Sequence, residues 1–175
     1  TGGSGFIGSN LVNFLIRKKF FVINLDKLTY SSNRYYNEKK NNRNYKFIKV
    51  DIVNKKKITK IIRKYKPKVI FNLAAETHVD RSIDGPYNFI QTNINGAFSL
   101  LESLRFLQKK NINPKLVHIS TDEVYGDIKK GKRSDENFKY DPSSPYSASK
   151  ASADHLVKSY IRTYKLKVVI SNCCN

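Results

Sequence analysis

Two kinds of feature are scarce in this 175-residue chain, and their scarcity excludes several classes of protein. The two cysteines, Cys173 and Cys174, are adjacent, which is too close for an ordinary disulfide, and they have no spaced partners for a metal site. No run of 18 or more apolar residues occurs, and residues 1–9 show neither a basic nor an apolar leader pattern. The sequence therefore predicts no disulfide framework, no metal site, no membrane association and a cytoplasmic location.

Acidic residues are also scarce, with 14 Asp and Glu against 33 Lys and Arg and a net charge of +19. Such a charge raises nucleic-acid binding as a hypothesis. The basic residues, however, fall in short runs mixed with Asn, and no recognition helix or aromatic-rich strand motif accompanies them. We expect weak, salt-sensitive adhesion to polyanions and no specific nucleic-acid partner.

Short apolar runs alternate with helical patterns along the chain, without an internal repeat. This alternation is typical of an α/β fold, in which crossover helices connect the strands of a parallel sheet. The length fits one domain, and a hydrophobic content of 39% is enough for a core. The predicted strands are 20–25, 45–50, 69–73, 116–120 and 168–171; the predicted helices are 9–18, 55–65, 87–109 and 147–164. Long irregular segments are expected at 30–44 and 127–145.

The first chemical motif is TGGSGFIG at residues 1–8, which contains both GxxGxxG and GxGxxG. Glycines allow a tight turn and let backbone amides approach a pyrophosphate at a helix N-terminus. Asp26 ends the next predicted strand, 18 positions after Gly8, where an acidic side chain meets the adenosine ribose. Its charge would repel a 2′-phosphate and favour NAD over NADP, although Lys27 softens that preference. The alternative is an ordinary glycine turn before a helix.

The second motif is YSASK, in which Tyr146 and Lys150 stand four residues apart at the start of an amphipathic segment. On a helix this spacing places both side chains on one face, so that the ammonium would lower the pKa of the phenol and make it a usable base. The alternative is a helix surface without chemistry.

The third motif is STDEVYG at residues 120–126, directly after an apolar strand. Ligands of open α/β sheets bind beyond the carboxyl ends of the strands, so Asp122 and Glu123 would reach the cleft. Neighbouring carboxylates oppose one another's ionisation, so one can serve as an acid and the other as a base. The alternative is an acidic turn that caps a strand.

Together with LAAETHVDRS at 73–82, DKLTY at 26–30 and SIDGP at 82–86, these motifs resemble the extended short-chain dehydrogenase/reductases. Within that family they are most similar to the sugar-nucleotide 4,6-dehydratases, and the similarity runs along almost the whole chain. The Asp-Glu pair after Thr121 is the most specific element, because the related epimerases lack this acid/base couple.

The resemblance implies a Rossmann-type doubly wound parallel sheet and a set of site residues. The catalytic group would be Thr121, Asp122, Glu123, Tyr146 and Lys150. The substrate would contact Thr77, Thr121 and Asn175. The NAD contacts would be Gly2, Gly5, Phe6, Ile7, Gly8, Asp26, Lys27, Leu28, Thr29, Asp51, Ile52, Leu73, Ala74, Ala75, Glu76, Thr92, Tyr146 and Lys150. The three histidines have no role in this set, and His118 is expected in the core.

The activity that the resemblance implies is NAD-dependent dehydration of dTDP-glucose to a 4-keto-6-deoxy sugar, as in rhamnose-type deoxysugar biosynthesis. Tyr146 would deprotonate the 4-hydroxyl, Glu123 would remove the carbon 5 proton, and Asp122 would protonate the departing 6-hydroxyl. The alternatives are a UDP-glucose 4,6-dehydratase, a UDP-sugar 4-epimerase, and a non-catalytic NAD- or polyanion-binding protein.

The chain departs from the family pattern in three respects. The strand expected before Thr1 is missing, and a smaller substrate-binding domain is expected beyond residue 175, so we interpret 1–175 as a partial NAD-binding domain. Cys174 stands where the family usually has a small hydroxyl residue. The helices 87–109 and 147–164 imply, again by resemblance, a homodimer.

Overall fold

The computed structural model describes residues 1–33, 42–128 and 131–174. The strands are β1 (Val22–Asp26), β2 (Tyr45–Lys49), β3 (Val69–Asn72), β4 (Lys115–Thr121) and β5 (Val168–Cys173). The helices are α1 (Phe6–Arg17), α2 (Lys55–Tyr65), α3 (Val79–Asp84), α4 (Tyr87–Phe89), a π-helix (Ile90–Asn95), α5 (Gly96–Gln108), a 3₁₀ helix (Asp122–Tyr125) and α6 (Pro145–Tyr164). Among the described residues, none of the helices has the length and apolarity to cross a membrane.

All strand pairs are parallel, and the strands form two groups, β1 with β2 and β3 with β4 and β5. Thr1 and Gly2 lie between the groups: the Gly2 amide donates to Leu25 O at 2.9 Å, and the Leu73 amide donates to Thr1 O at 3.1 Å. The spatial order is thus β2, β1, residues 1–2, β3, β4, β5. This is the doubly wound Rossmann order, and the predicted α/β class and all five predicted strands are confirmed.

Local signals explain where the helices begin and end. The side chain of Asn54 accepts a hydrogen bond from the Lys57 amide and caps α2, which ends at Lys66 in the left-handed conformation. Ser144 and Ser147 form a reciprocal capping box at the start of α6, where Pro145 takes the first helical position. These caps set the helical register of Tyr146 and Lys150.

The structure differs from the sequence prediction at four helices, and the smallest difference is at α6, which begins at Pro145, two residues before the predicted start. Helix α1 begins at Phe6, three residues before the predicted start, because the glycine loop leads directly into it. Helix α3 was not predicted, since six residues are too few for a periodic pattern. The predicted helix 87–109 is one continuous rod, but it is wound as a π-helix over Ile90–Asn95.

The main core joins α2, α5 and α6 to the strands. Its members are apolar side chains of these elements, including Ile58, Ile62, Leu100, Leu104, Leu107, Leu116 and Val157. The lysines of α2 lie on its outer, exposed face, as the helical periodicity predicts. The core fixes the strands' carboxyl ends, where the candidate site lies.

Candidate active site

The glycine loop is packed so tightly that Gly2 and Gly8 leave no room for a side chain. Gly2 has a φ of +68°, and a Cβ there would lie 2.5 Å from the Ala74 nitrogen. A Cβ on Gly8 would collide with the Gly2 carbonyl oxygen. Close backbone approach at both positions brings α1 against the loop, so that the first-turn amides of α1 face the end of the sheet. The N-cap, Gly5, provides no side-chain hydrogen bond to them.

Phe6 and Ile7 form the first turn of α1, and their side chains are exposed. Because Phe and Ile side chains have no hydrogen-bond donors, these residues can bind a phosphate group only through their backbone amides. This is the geometry of an anion-binding helix N-terminus.

Asp26, at the end of β1, connects the glycine loop to the following turn. Its carboxylate accepts hydrogen bonds from the Ser4 amide at 2.9 Å and the Leu28 amide at 2.8 Å. Leu28 adopts a φ of +60°, and the hydrogen bond from its backbone amide to the Asp26 carboxylate holds it in this left-handed conformation. The carboxylate is thereby fixed at the mouth of the cavity beside the loop.

Lys27 is surrounded by acidic and polar side chains. Its Nζ lies 3.8 Å from Asp51, 3.6 Å from Glu76 and 3.1 Å from the Thr92 hydroxyl. Two carboxylates thus offset its charge. We expected Lys27 to reduce the repulsion between Asp26 and a 2′-phosphate. This arrangement weakens that expectation, because the charge of Lys27 is already offset.

One cavity collects most of the predicted cofactor residues. Those that line it are Gly2, Gly5, Asp26, Lys27, Thr29, Ile52, Leu73, Ala74, Ala75, Glu76 and Thr92. Asp51 joins the same region through Lys27. The glycine cradle, the anion-binding helix end and the fixed carboxylate suit a dinucleotide with its pyrophosphate at α1 and a ribose at Asp26.

The second half of the site lies at the end of β4. Thr121 is the last residue of the strand and is buried, and its hydroxyl accepts a hydrogen bond from the Glu123 amide and lies 3.3 Å from Asp122 Oδ1. The Tyr146 phenol lies beside Thr121, which acts to lower the pKa of the phenol. The structure therefore brings Thr121, Asp122, Glu123 and Tyr146 together, as the sequence predicts.

The pKa values of Glu123 and Tyr146 are both raised, but a different set of neighbours acts on each. Burial raises the pKa of Glu123, and the neighbouring Asp122 adds to the effect. Burial also raises the pKa of Tyr146; the neighbouring Thr121 side chain offsets this in part, and both carboxylates reinforce it. A carboxylate with a raised pKa is a stronger base once ionised, which suits Glu123 to proton abstraction.

The predicted effect of Lys150 on Tyr146 needs correction. The Lys150 ammonium donates to Ile119 O at 2.6 Å, and the pKa of Tyr146 lies above its ordinary value, not below it. Burial also lowers the pKa of Lys150 itself. The spacing predicts that the two residues share a helix face, but it does not predict how deeply the face is buried. Desolvation outweighs the attraction that we expected.

The substrate residues are incompletely placed. Thr77 is exposed in the loop between β3 and α3, and Asn175 lies outside the described residues. Cys173 pairs with Thr121 in the sheet register, and Cys173 and Cys174 are both free and exposed. The contribution of Cys174 and Asn175 to substrate binding stays a prediction.

Sequence reasoning missed Asn93, which connects both halves of the site. Its side chain accepts from the Glu76 amide at 2.9 Å and donates to Glu76 O at 3.0 Å and to the Ser149 hydroxyl at 2.8 Å. Asn93 lies in the π-helix, and π-turns are frequent at functional sites because they re-aim side chains. The buried His118 and Asp154 were also missed as a pair; only the core placement of His118 was predicted, and it is confirmed.

The parallel sheet, the glycine cradle and the Tyr146–Lys150 helix are the features of a Rossmann-type short-chain dehydrogenase/reductase fold. The family model described as GDP-mannose 4,6 dehydratase matches residues 1–175, and the chain belongs to this family. It is 49% identical over 183 residues to the dTDP-glucose 4,6-dehydratase of Haemophilus influenzae, covering 100% of this chain and 54% of that protein. It is 46% identical over 181 residues to a probable dTDP-glucose 4,6-dehydratase of Sinorhizobium fredii, covering 100% and 52%.

Solved structures of dTDP-glucose 4,6-dehydratases have the same fold as this chain. The dTDP-glucose 4,6-dehydratase of Bacillus anthracis in complex with NAD matches with a TM-score of 0.86 and 40% identity, over 99% of this chain and 53% of that chain. A double mutant of the Streptomyces venezuelae enzyme DesIV, with NAD and DAU bound, matches with a TM-score of 0.90 and 38% identity, over 99% and 54%. The chain spans about half the length of the curated relatives that it matches.

Proposed function

We propose that this chain is the NAD-binding part of a dTDP-glucose 4,6-dehydratase, which converts dTDP-glucose to dTDP-4-keto-6-deoxyglucose and water. The observation that carries the proposal is the Asp122–Glu123 pair, held by Thr121 beside the Tyr146 phenol. An elimination needs both a base and an acid next to the group that handles the 4-hydroxyl, and this arrangement supplies all three. The names of the relatives described above support the same activity.

The cofactor that fits the cradle is NAD. It supplies a hydride acceptor for sugar carbon 4 and a hydride donor for carbon 6, so the whole conversion has no net redox change. The Asp26 carboxylate would accept hydrogen bonds from a ribose diol, whereas it would repel a 2′-phosphate. Because Lys27 is paired with Asp51 and Glu76, its charge is not available to bind that phosphate.

The chain's own residues handle the protons. Because burial raises the pKa of Tyr146, the phenol stays neutral unless a nearby positive charge, such as the nicotinamide ring of bound NAD, favours the phenolate. That phenolate would accept the proton of the 4-hydroxyl, and Thr121, which lies beside the phenol, would polarise the 4-oxygen. The ketone at carbon 4 acidifies the hydrogen on carbon 5, which Glu123 removes. Asp122 gives a proton to the 6-hydroxyl, which leaves as water. Lys150, one helical turn from Tyr146, is a buried ammonium held by the Ile119 carbonyl.

We further propose a cytoplasmic homodimer for the full-length protein. Several large apolar side chains of the helices from α3 to α6 are exposed, and such side chains are candidates for contacts with another protein: Ile83, Tyr87, Ile90, Phe98, Phe106 and Tyr164. A second copy of the chain would cover them. Sedimentation of the full-length protein as a monomer at micromolar concentration would contradict this proposal.

The test of the activity is incubation of the full-length protein with NAD and either dTDP-glucose or UDP-glucose. We expect a 4-keto-6-deoxy product from dTDP-glucose, detected by mass loss of one water and by a C6 methyl signal in NMR. Product formed only from UDP-glucose would identify a UDP-glucose dehydratase, and a product without mass loss would identify a 4-epimerase. Either result would contradict the proposed substrate or reaction.

A further inference from the structure

A buried carboxylate, Asp154, lies behind the catalytic residues. It belongs to α6, four residues after Lys150 and eight after Tyr146, so the three residues share one face of the helix. Its side chain is completely buried. A carboxylate in such a place is costly unless several donors or a cation compensate it.

Two hydroxyl groups compensate one oxygen of Asp154. The Ser120 hydroxyl donates to Oδ2 at 2.6 Å, and the Tyr140 hydroxyl donates to the same oxygen at 3.1 Å. Since both hydroxyls donate, this oxygen is an acceptor. The arrangement stabilises the ionised carboxylate.

His118 faces the other oxygen, and a chain of hydrogen bonds indicates its tautomer. The Thr1 hydroxyl donates to Asn72 Oδ1 at 2.7 Å, so the Asn72 amide group Nδ2 faces His118 Nδ1 at 3.1 Å. Nδ1 must then accept, which leaves the ring proton on Nε2, 3.4 Å from Asp154 Oδ1. Burial lowers the pKa of His118, so the ring is neutral and brings no compensating positive charge.

Lys150 presents the complementary problem. It is a buried ammonium, and the hydrogen-bond partner that the structure gives it is the uncharged Ile119 carbonyl, at 2.6 Å. Ile119 and Ser120 are consecutive residues of β4, so one strand holds both Lys150 and Asp154 of α6. The buried cation and the buried anion are thus one helical turn apart, and they are hydrogen-bonded to two consecutive residues of β4.

We propose that Asp154 is a positioning residue: it is the buried counter-charge that keeps Lys150 an ammonium, and its bond to Ser120 holds α6 in register with the end of β4. The effect on Lys150 has the expected sign, since burial lowers the pKa of Lys150 and Asp154 raises it. Because β4 ends in Thr121, the same bond fixes Tyr146 relative to Thr121, Asp122 and Glu123. The inference rests on the proposed function only in assigning these groups to the reaction.

Within residues 1–33, 42–128 and 131–174, four other titratable groups act on the pair or are acted on by it. They come from β4, β5, the 3₁₀ helix and the loop before α6, and they are His118, Cys173, Tyr125 and Tyr140. Burial raises the pKa of Tyr125 and Tyr140 and lowers that of His118, so these three groups are neutral near neutral pH. Loss of the Asp154 charge would therefore act on Lys150 without compensation from these three.

The test compares Asp154→Asn with Glu102→Gln in the full-length protein. Glu102 is a matched control, because it is also a buried carboxylate with several donors, including the Tyr160 hydroxyl of α6 at 2.9 Å, but its partners lie outside the site. The first readout is the NMR titration of the Lys150 Cε carbon in the absence of cofactor. We expect Asp154→Asn to move this titration to lower pH, whereas Glu102→Gln leaves it unchanged.

The second readout is the pH profile of kcat/KM. In Asp154→Asn the alkaline limb is expected to move to lower pH by about one unit or more, because an opposite charge at this range has an effect of that size. An unchanged Lys150 titration, or an equal shift in Glu102→Gln, would overturn the proposal. If Asp154→Asn does not fold, the ¹³C shift of the Asp154 carboxyl in the unmodified protein decides: a protonated carboxyl at neutral pH would also overturn it.

Failure of the proposed function would be recognised separately. In that case the unmodified protein forms no product from dTDP-glucose, while the Lys150 titration and the carboxyl shift still report on the Asp154–Lys150 pair. A loss of activity in Asp154→Asn with an unchanged pH profile would indicate a purely structural role and would contradict the inference.

Discussion

Replacement of Glu123 by Gln tests whether Glu123 removes the carbon 5 proton while Tyr146 handles the 4-hydroxyl. Gln has nearly the same shape, and the hydrogen bond from the residue 123 amide to the Thr121 hydroxyl does not involve the side chain that changes. We therefore expect the free energy of unfolding to change by no more than about 0.5 kcal/mol. The variant loses the Glu123 carboxylate, a base whose pKa is raised by burial and by Asp122. A positioned general base contributes about 10²- to 10⁴-fold to the rate.

That range corresponds to about 2.7–5.5 kcal/mol in activation free energy. Only the carbon 5 step should carry this loss, because Tyr146 handles the 4-hydroxyl. Rapid mixing with dTDP-glucose in D₂O should show NADH formation at nearly the unmodified rate, with exchange of the carbon 5 hydrogen at least about 10²-fold slower. Glu136→Gln, an exposed carboxylate-to-amide change, is the control. An equal loss of NADH formation and exchange in Glu123→Gln would refute the assignment.

Two further predictions concern cofactor choice and acid stability. Asp26→Ala should weaken NAD binding and reduce the preference for NAD over NADP, because it removes a hydrogen-bond acceptor for the ribose and a charge that repels the 2′-phosphate. Calorimetry with both cofactors measures this effect, and an unmodified protein that already prefers NADP would contradict the prediction. Hydrogen bonds from Arg105 lower the pKa of Glu102 from 4.5 to about 2, so the stabilisation is complete above pH 4.5 and is lost as pH falls towards 2. Urea unfolding between these pH values should therefore show a shallower pH dependence in Glu102→Gln, and an unchanged dependence would contradict the role of this carboxylate.

Much of the fold could be predicted because its signals are local. The apolar runs predicted all five strands, and the helical spacing of apolar residues predicted α2 with its limits at Lys55–Tyr65. The glycine loop was recognisable because tight backbone contact permits only one residue type, as the space around Gly2 shows. Asp122 and Glu123 followed from their place after a strand, since parallel strands deliver such residues to one edge.

The remainder depends on contacts between distant parts of the chain. The spacing of Tyr146 and Lys150 predicts a shared face, but burial, which reverses the expected direction of the pKa of Tyr146, is set by the strands packed against α6. Asn93 points at Glu76 because the helix is wound as a π-turn there, and no sequence signal marked that turn. Asp154 looks like an ordinary polar position of an amphipathic helix until β4 is placed against it.

The most direct test of the account follows one hydrogen atom. The full-length protein is incubated with NAD and dTDP-glucose that carries deuterium at carbon 4, and the product is analysed by NMR and mass spectrometry. An NAD-dependent 4,6-dehydratase transfers that hydride from carbon 4 to carbon 6, so we predict deuterium in the C6 methyl group of a 4-keto product. Deuterium retained at carbon 4 of an unchanged or epimerised sugar would contradict the proposed function.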